Sequence, residues 1–132
     1  MARKFFGGTA FRQSQDRSHL WFVISDPVQY PDDLVVYVNM TTLQPVRYQH
    51  DPENDQSCVL YVGDHPAVDH LSCIAYWFAH DAWLYRLEAD SCCEIHPTPA
   101  SAELLARMRE GAAQTRHLER RMKKILRDQG LI

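Results

Sequence analysis

Short apolar runs separated by polar turns make up residues 1–97 of the chain. The clearest run, residues 19–25, is almost wholly apolar, as expected for a strand buried on both faces, and Asp26-Pro27 ends it. β-Branched and aromatic residues with turn-like flanks indicate further strands of the same kind. The predicted strands are 19–25, 34–40, 57–62, 72–78 and 82–87, with a first strand near 4–6 or 9–12.

The connections between these strands, including 29–33 and 50–55, are short and polar, too short for the crossover helices of a parallel sheet. The pattern therefore predicts a mainly β body over residues 1–97, either a small barrel or a strongly bent antiparallel sheet. We expect one set of apolar residues to lie inside this body: Trp21, Val23, Val36, Val38, Leu60, Ile74 and Leu84.

The hydrophobic period changes after Pro97, and residues 98–132 are predicted to form a C-terminal amphipathic basic helix of the same domain. Thr98 is the predicted N-cap, and Pro99 suits the first helical position. The apolar stripe steps by three and four through Leu104, Met108, Gly111, Thr115, Leu118, Met122 and Ile125. Gly111 weakens it, so a kink or break is expected there. The opposite face carries Arg109, Arg116, Arg120, Arg121, Lys123, Lys124 and Arg127.

The charges of the chain are distributed unevenly. Residues 1–99 hold 6 Lys or Arg and 13 Asp or Glu, whereas residues 100–132 hold 8 and 4, which gives balances of −7 and +4. We expect the helix to support dimerisation through its stripe and nucleic-acid capture through its basic face. No apolar run approaches the roughly 20 residues of a membrane span, and no signal sequence is evident. The expectation is a cytoplasmic protein with reduced cysteines.

The sequence contains no P-loop, GxGxxG, GxSxG, HExxH or CxxC motif, so most common enzyme chemistries have no support from it. Two segments remain, 17–25 (RSHLWFVIS) and 36–42 (VYVNMTT), followed by 67–76 (AVDHLSCIAY). Together, over roughly residues 19–88, they resemble the MazF/PemK toxins of type II toxin–antitoxin systems. In that family a strand with an apolar run ending in Ser precedes a strand that ends in a Thr pair beside the active site.

The resemblance implies an SH3-like barrel that acts as a homodimer, cuts single-stranded RNA without a metal or cofactor, and has an antitoxin protein as a partner. The 2′-hydroxyl of the RNA would attack the adjacent phosphate, with an acid, a base and donors to the phosphate supplied by the protein. It implies His19, Ser25, Thr41 and His65 as catalytic residues around one groove. Arg17, Thr42 and His70 would bind substrate at its rim.

One departure from the family concerns His19, which stands before Leu20 where the family has Arg before Pro. Histidine can itself act as base or acid, so the mechanism would shift, with Arg17 supplying the permanent charge. Alternatively activity is lost, and the chain is a non-catalytic module whose basic helix binds a protein or a nucleic-acid backbone.

Purely structural roles for the same residues are alternative interpretations. His19 could be a strand-edge histidine bonded to backbone, the two threonines plain strand-end residues, and segment 63–70 a tight turn. A zinc site from Cys92, Cys93, His96, His65 and His70 competes, but the spacing is not diagnostic and we expect no metal.

Overall fold

The computed structural model describes residues 5–27, 34–44, 51–89 and 93–132, and the predicted polar loop 29–33 lies outside them. The described strands are β1 (Ala10–Gln13), β2 (Asp16–Val23), β3 (Leu34–Thr42), β4 (Val59–Leu60), β5 (Ser72–Trp83) and β6 (Cys93–Ile95). The helices are α1 (Leu84–Ala89), α2 (Ala102–Gln114) and α3 (Arg120–Asp128), and a 3₁₀ turn covers Pro52–Asn54.

The strands form one sheet in the order β4-β5-β3-β2-β1-β6, and every pair is antiparallel. The mainly β fold with C-terminal helices is therefore confirmed. Within the described residues β4 and β6 are the outer strands and do not pair with each other, so the sheet is not closed into the predicted barrel. Strand β6 was not predicted, because only three residues pair with β1.

Both faces of the sheet are buried, which explains the unbroken apolar run in β2. One core contains Leu20 and Phe22 and is covered by α2 and α3, whereas Trp21 and Val23 belong to a second core on the other face. Alternate side chains of a strand point to opposite faces, so both sets are apolar. The residues expected inside are all buried: Trp21, Val23, Val36, Val38, Leu60, Ile74 and Leu84.

Strand β5 differs from its prediction. It is one strand to Trp83 rather than two, and α1 begins at Leu84, so the predicted strand 82–87 is wrong. Its register with β3 is interrupted: Tyr37 pairs with His80 and Asn39 pairs with Ala75. Four β5 residues, 76–79, therefore lie opposite a single residue of β3 and form an enlarged bulge.

The long basic helix is also corrected, because two shorter helices replace it. Helix α2 begins after Ser101, whose hydroxyl accepts a hydrogen bond from the Leu104 N–H (3.1 Å), and not after Thr98. It ends at Gln114, three residues beyond Gly111, where the break was expected. The Thr115 hydroxyl donates to the Asp55 carboxylate and accepts from the His117 N–H, and these bonds hold the turn between α2 and α3.

The apolar stripe keeps its phase across this turn. The stripe positions from Leu104 to Met122 are all buried, and Leu126 joins them at the end of α3. These side chains pack into the chain's own core, so the stripe is not available for the expected dimer contact. On the basic face, Arg121 pairs with Asp81 and Lys124 with Asp128, which neutralises part of the positive charge.

Candidate functional site

A polar groove of about 280 Å³ lies at the end of the sheet where β2 begins and β3 ends. It is bordered by two histidines, two threonines, one arginine and one aspartate: His19, His70, Thr41, Thr42, Arg12 and Asp69.

Strand register brings these residues together. Trp21 pairs with Asn39, and His19 and Thr41 stand two residues beyond this pair in β2 and β3. Thr42 pairs with Ser72, the first residue of β5, so the segment that precedes β5 runs along the same edge. That segment carries Asp69 and His70, so β2, β3 and the approach to β5 assemble the groove, and Arg12 of the neighbouring strand β1 also borders it.

A hydrogen-bonded chain of three side chains crosses the groove. His70 Nδ1 lies 2.5 Å from Asp69 Oδ1, and His70 Nε2 lies 2.7 Å from Thr42 Oγ1. An ionised carboxylate can only accept, so Nδ1 carries the proton that is donated to Asp69. In the neutral imidazole Nε2 is then the acceptor of the Thr42 hydroxyl. A carboxylate thus orients a histidine whose basic nitrogen faces a hydroxyl, which is the arrangement of a general base.

The second histidine of the groove, His19, is half-buried, and its Nδ1 lies 3.2 Å from the Ser18 hydroxyl. Arg12 supplies a permanent positive charge, and its Nη1 donates to the Arg17 carbonyl at 2.9 Å. Among the described residues, the groove therefore combines two imidazoles and a guanidinium with one carboxylate, that of Asp69. Groups of this kind can bind a phosphate and transfer protons around it.

Two predicted catalytic residues do not border the groove. Ser25 is fully buried, and its hydroxyl accepts the Val36 N–H at 2.8 Å, so it joins two segments of backbone. His65 is 3% exposed; its Nδ1 accepts the Ala67 N–H, and its Nε2 donates to the Thr98 carbonyl at 2.7 Å. Burial, and to a lesser degree the neighbouring His96, lowers the pKa of His65, and the Thr98 carbonyl opposes this.

Arg17, the predicted source of permanent charge, is exposed and pairs with Glu94 at 2.5 Å. Arg12 takes the corresponding place beside the groove and was missed, because a strand of four residues gives no sequence signal for which of its side chains reaches the groove. Asp69 was also missed as a functional residue. Its position immediately before His70 is the signal that could have identified it, since an adjacent carboxylate can orient an imidazole.

The described residues contain no group of three or more His, Cys, Asp or Glu that could hold a metal ion, and Cys92 lies outside them. Cys58 and Cys73 are buried, and burial raises the pKa of each thiol to about 11. A neutral thiol is a poor metal ligand. Both are buried residues of the body, Cys58 immediately before β4 and Cys73 in β5.

Comparison with family models, curated proteins and solved structures finds no match to this chain. In the described part of the chain, the helices are too short and too polar to cross a membrane. We therefore infer the chemistry of the site from its geometry.

Proposed function

We propose that this protein is a metal-independent endoribonuclease of the MazF/PemK kind. The observation that carries the proposal is the chain from Asp69 through His70 to Thr42, which opens into the same groove as His19. The resemblance of segments 17–25 and 36–42 to the family points to the same edge of the sheet.

The reaction is the transfer of a phosphodiester from the 5′-oxygen of one nucleotide to the 2′-oxygen of its neighbour. His70 Nε2 takes the proton of the 2′-hydroxyl, and this oxygen attacks the phosphorus atom. The bond to the 5′-oxygen breaks, and protonated His19 gives that oxygen a proton. The products are a 2′,3′-cyclic phosphate and a 5′-hydroxyl end.

Thr42 and Arg12 have the remaining roles in this proposal. Arg12 contributes donors and positive charge to the phosphate as its negative charge grows. Thr42 holds the unloaded His70 in place and gives way to the 2′-hydroxyl when RNA binds. Asp69 fixes the tautomer of His70, so it is a positioning residue rather than one that touches the substrate.

A second candidate function uses the same three residues differently. The order carboxylate, imidazole and hydroxyl is also that of hydrolases in which the hydroxyl is the nucleophile. Thr42 Oγ1 would then give its proton to His70 Nε2, attack an ester or phosphoester and displace the alcohol, which takes the proton from His70. Water would afterwards remove the acyl or phosphoryl group from Thr42. The two functions differ in one requirement: only the ribonuclease needs the 2′-hydroxyl of the substrate.

The alternative of a non-catalytic module that binds through its basic helix is weaker here, because Arg121 and Lys124 are already paired with carboxylates. A homodimer and an antitoxin remain part of the proposal. A dimer would have to use a surface other than the apolar stripe.

The test is cleavage of a single-stranded RNA of mixed sequence in a chelator, with product ends identified by mass spectrometry. His70→Ala and His19→Ala should each lower kcat/KM by about 10²–10⁴, the usual contribution of a general acid or base. His117→Ala, a partly exposed histidine outside the groove, is the matched control and should retain wild-type activity.

A substrate with 2′-deoxyribose at the cleavage position separates the candidates. The ribonuclease leaves it intact, whereas a Thr42 nucleophile cleaves it and loses this cleavage in Thr42→Val. Undiminished cleavage by His70→Ala would refute both functions, because both assign the basic nitrogen to His70.

A further inference from the structure

A second cleft adjoins the groove and shares His19 and Thr41 with it. Its volume is about 250 Å³, below the roughly 300–1,000 Å³ of sites for drug-sized ligands. Trp77 and Phe78 form its aromatic side, and Asn39 and Ala75 lie in the strands beneath. A ligand of one or two rings fits such a space.

The aromatic side of the cleft is a consequence of the bulge in β5. Trp77 is 43% exposed and Phe78 is 37% exposed, although both belong to a strand whose first five residues are buried. The two rings are 5.0 Å apart between centroids and inclined at 68°. Phe78 also stacks on the buried Trp21, which fixes its position. Rings exposed in this way on a rigid strand provide a surface on which another planar ring can stack.

Asn39 is a buried polar residue at the base of the cleft. It is 2% exposed, and among the described residues its Oδ1 has no hydrogen-bond partner. A buried carbonyl oxygen without a partner is unfavourable, because it has lost water and gained nothing in return. The oxygen is covered in the free protein, so a ligand must move a neighbouring side chain to reach it; changes of rotamer of this kind are common on binding. The ligand that we expect to benefit is one whose amino group can donate to this oxygen.

We propose that this cleft binds one base of the RNA strand next to the phosphate that is cleaved. The base stacks on Trp77, and its exocyclic amino group donates to Asn39 Oδ1, so adenine, cytosine and guanine are favoured over uracil. The inference rests on the proposed ribonuclease function, since continuity with the groove through His19 and Thr41 is what identifies the planar ligand as a nucleobase.

The test measures binding separately from cleavage. Tetranucleotides with 2′-fluoro sugars lack the attacking hydroxyl, and their dissociation constants can be followed by fluorescence anisotropy. Trp77→Ala should weaken binding of an adenine tetranucleotide about five- to a hundredfold, the usual effect of losing one base–aromatic stack. Trp83→Ala is a closely matched control, because Trp83 lies in the same strand and is also 43% exposed but does not border the cleft.

The role of Asn39 is tested by changing the base. Replacing adenine with purine, which lacks the amino group, should weaken binding to the wild-type protein, and Asn39→Leu should abolish this difference. The ratio of the dissociation constants of the two ligands, measured on the same protein, does not depend on how much Asn39→Leu destabilises the fold. Equal affinity of wild-type protein for adenine, purine and uracil tetranucleotides would overturn the polar half of the proposal.

The outcomes also separate this inference from the ribonuclease. If Trp77→Ala and Trp83→Ala both bind as tightly as wild type while RNA is still cleaved, the base cleft is refuted and the ribonuclease stands. If binding depends on Trp77 but no RNA is cleaved, the cleft stands and the ribonuclease is refuted. Failure of the wild-type protein to bind any of the tetranucleotides would overturn the cleft.

Discussion

Replacement of Gly111 by Ala tests the packing of α2 on the sheet most sharply, because helix propensity and packing predict opposite effects. In an exposed helix the change stabilises by about 1 kcal/mol. Gly111, however, faces the sheet. A Cβ atom there would lie 2.8 Å from the Ser57 carbonyl oxygen, 3.0 Å from the Cys58 Cβ and still closer to the Tyr76 hydroxyl.

The size of the expected stability loss follows from the groups that an added Cβ atom at Gly111 would displace. The Tyr76 hydroxyl is buried and donates to the Met108 carbonyl at 2.6 Å. Pushing it aside breaks this bond in a buried place, which costs about 1–3 kcal/mol. Overpacking against the Ser57 backbone costs about another 1–3 kcal/mol. After subtraction of the gain in helix propensity, we expect Gly111→Ala to lower the free energy of unfolding by about 3 kcal/mol.

Urea denaturation followed by tryptophan fluorescence measures this change, with Ala106→Gly as the control. Ala106 is exposed in the same helix, so its replacement should cost only about 1 kcal/mol. In a Tyr76→Phe background the cost of Gly111→Ala should fall by at least about 1 kcal/mol, because the nearest obstructing atom is gone. A Gly111→Ala protein as stable as wild type would show that α2 does not approach β5 this closely.

Two further predictions concern the residues that do not border the groove. Because the pKa of His65 is lowered from 6.5, its contribution to stability is fully present above about pH 6.5 and is lost as the pH falls towards the folded-state pKa. His65→Gln should therefore make the urea midpoint change less between about pH 7 and pH 5. An unchanged pH dependence of the midpoint would contradict this. Ser25→Ala leaves the buried Val36 N–H without its acceptor, so it should lower the free energy of unfolding by about 1–3 kcal/mol. The folded protein should keep wild-type kcat/KM on RNA. A large loss of activity without loss of stability would instead place Ser25 in the site.

The elements that were predictable from sequence are those defined by a long hydrophobic period. The stripe from Leu104 to Met122 is buried in phase, even though five residues interrupt the helix in its middle. The interruption itself depends on a contact distant in sequence, between Thr115 and Asp55, which no local pattern reveals. The bulge in β5 was not predictable either, because the local sequence of residues 76–79 does not indicate that they face a single residue of β3.

The candidate site was predictable only in part for a related reason. His19, Thr41, Thr42 and His70 could be grouped because they mark the ends of strands or the turn before one. Ser25 is at a strand end by the same criterion, but its hydroxyl is used by the backbone of the neighbouring strand. Sequence gives the position of a polar residue along a strand and not the partner that its polar atoms find.

The location of the groove follows from the two cores. β2 and β3 are buried on both faces along their middle residues, so polar groups there are cut off from water. Ser25, just beyond the end of β2, accepts the Val36 N–H, whereas Asn39 Oδ1 in β3 has no partner among the described residues. Only where the strands leave both cores can a histidine or threonine remain accessible and still stand on a rigid element, which is the placement a catalytic group requires. His65 and His70 show the distinction within five residues of chain. Both ring nitrogens of His65 are bonded to backbone, whereas those of His70 are bonded to the side chains of Asp69 and Thr42, and in the proposed reaction a substrate hydroxyl replaces Thr42.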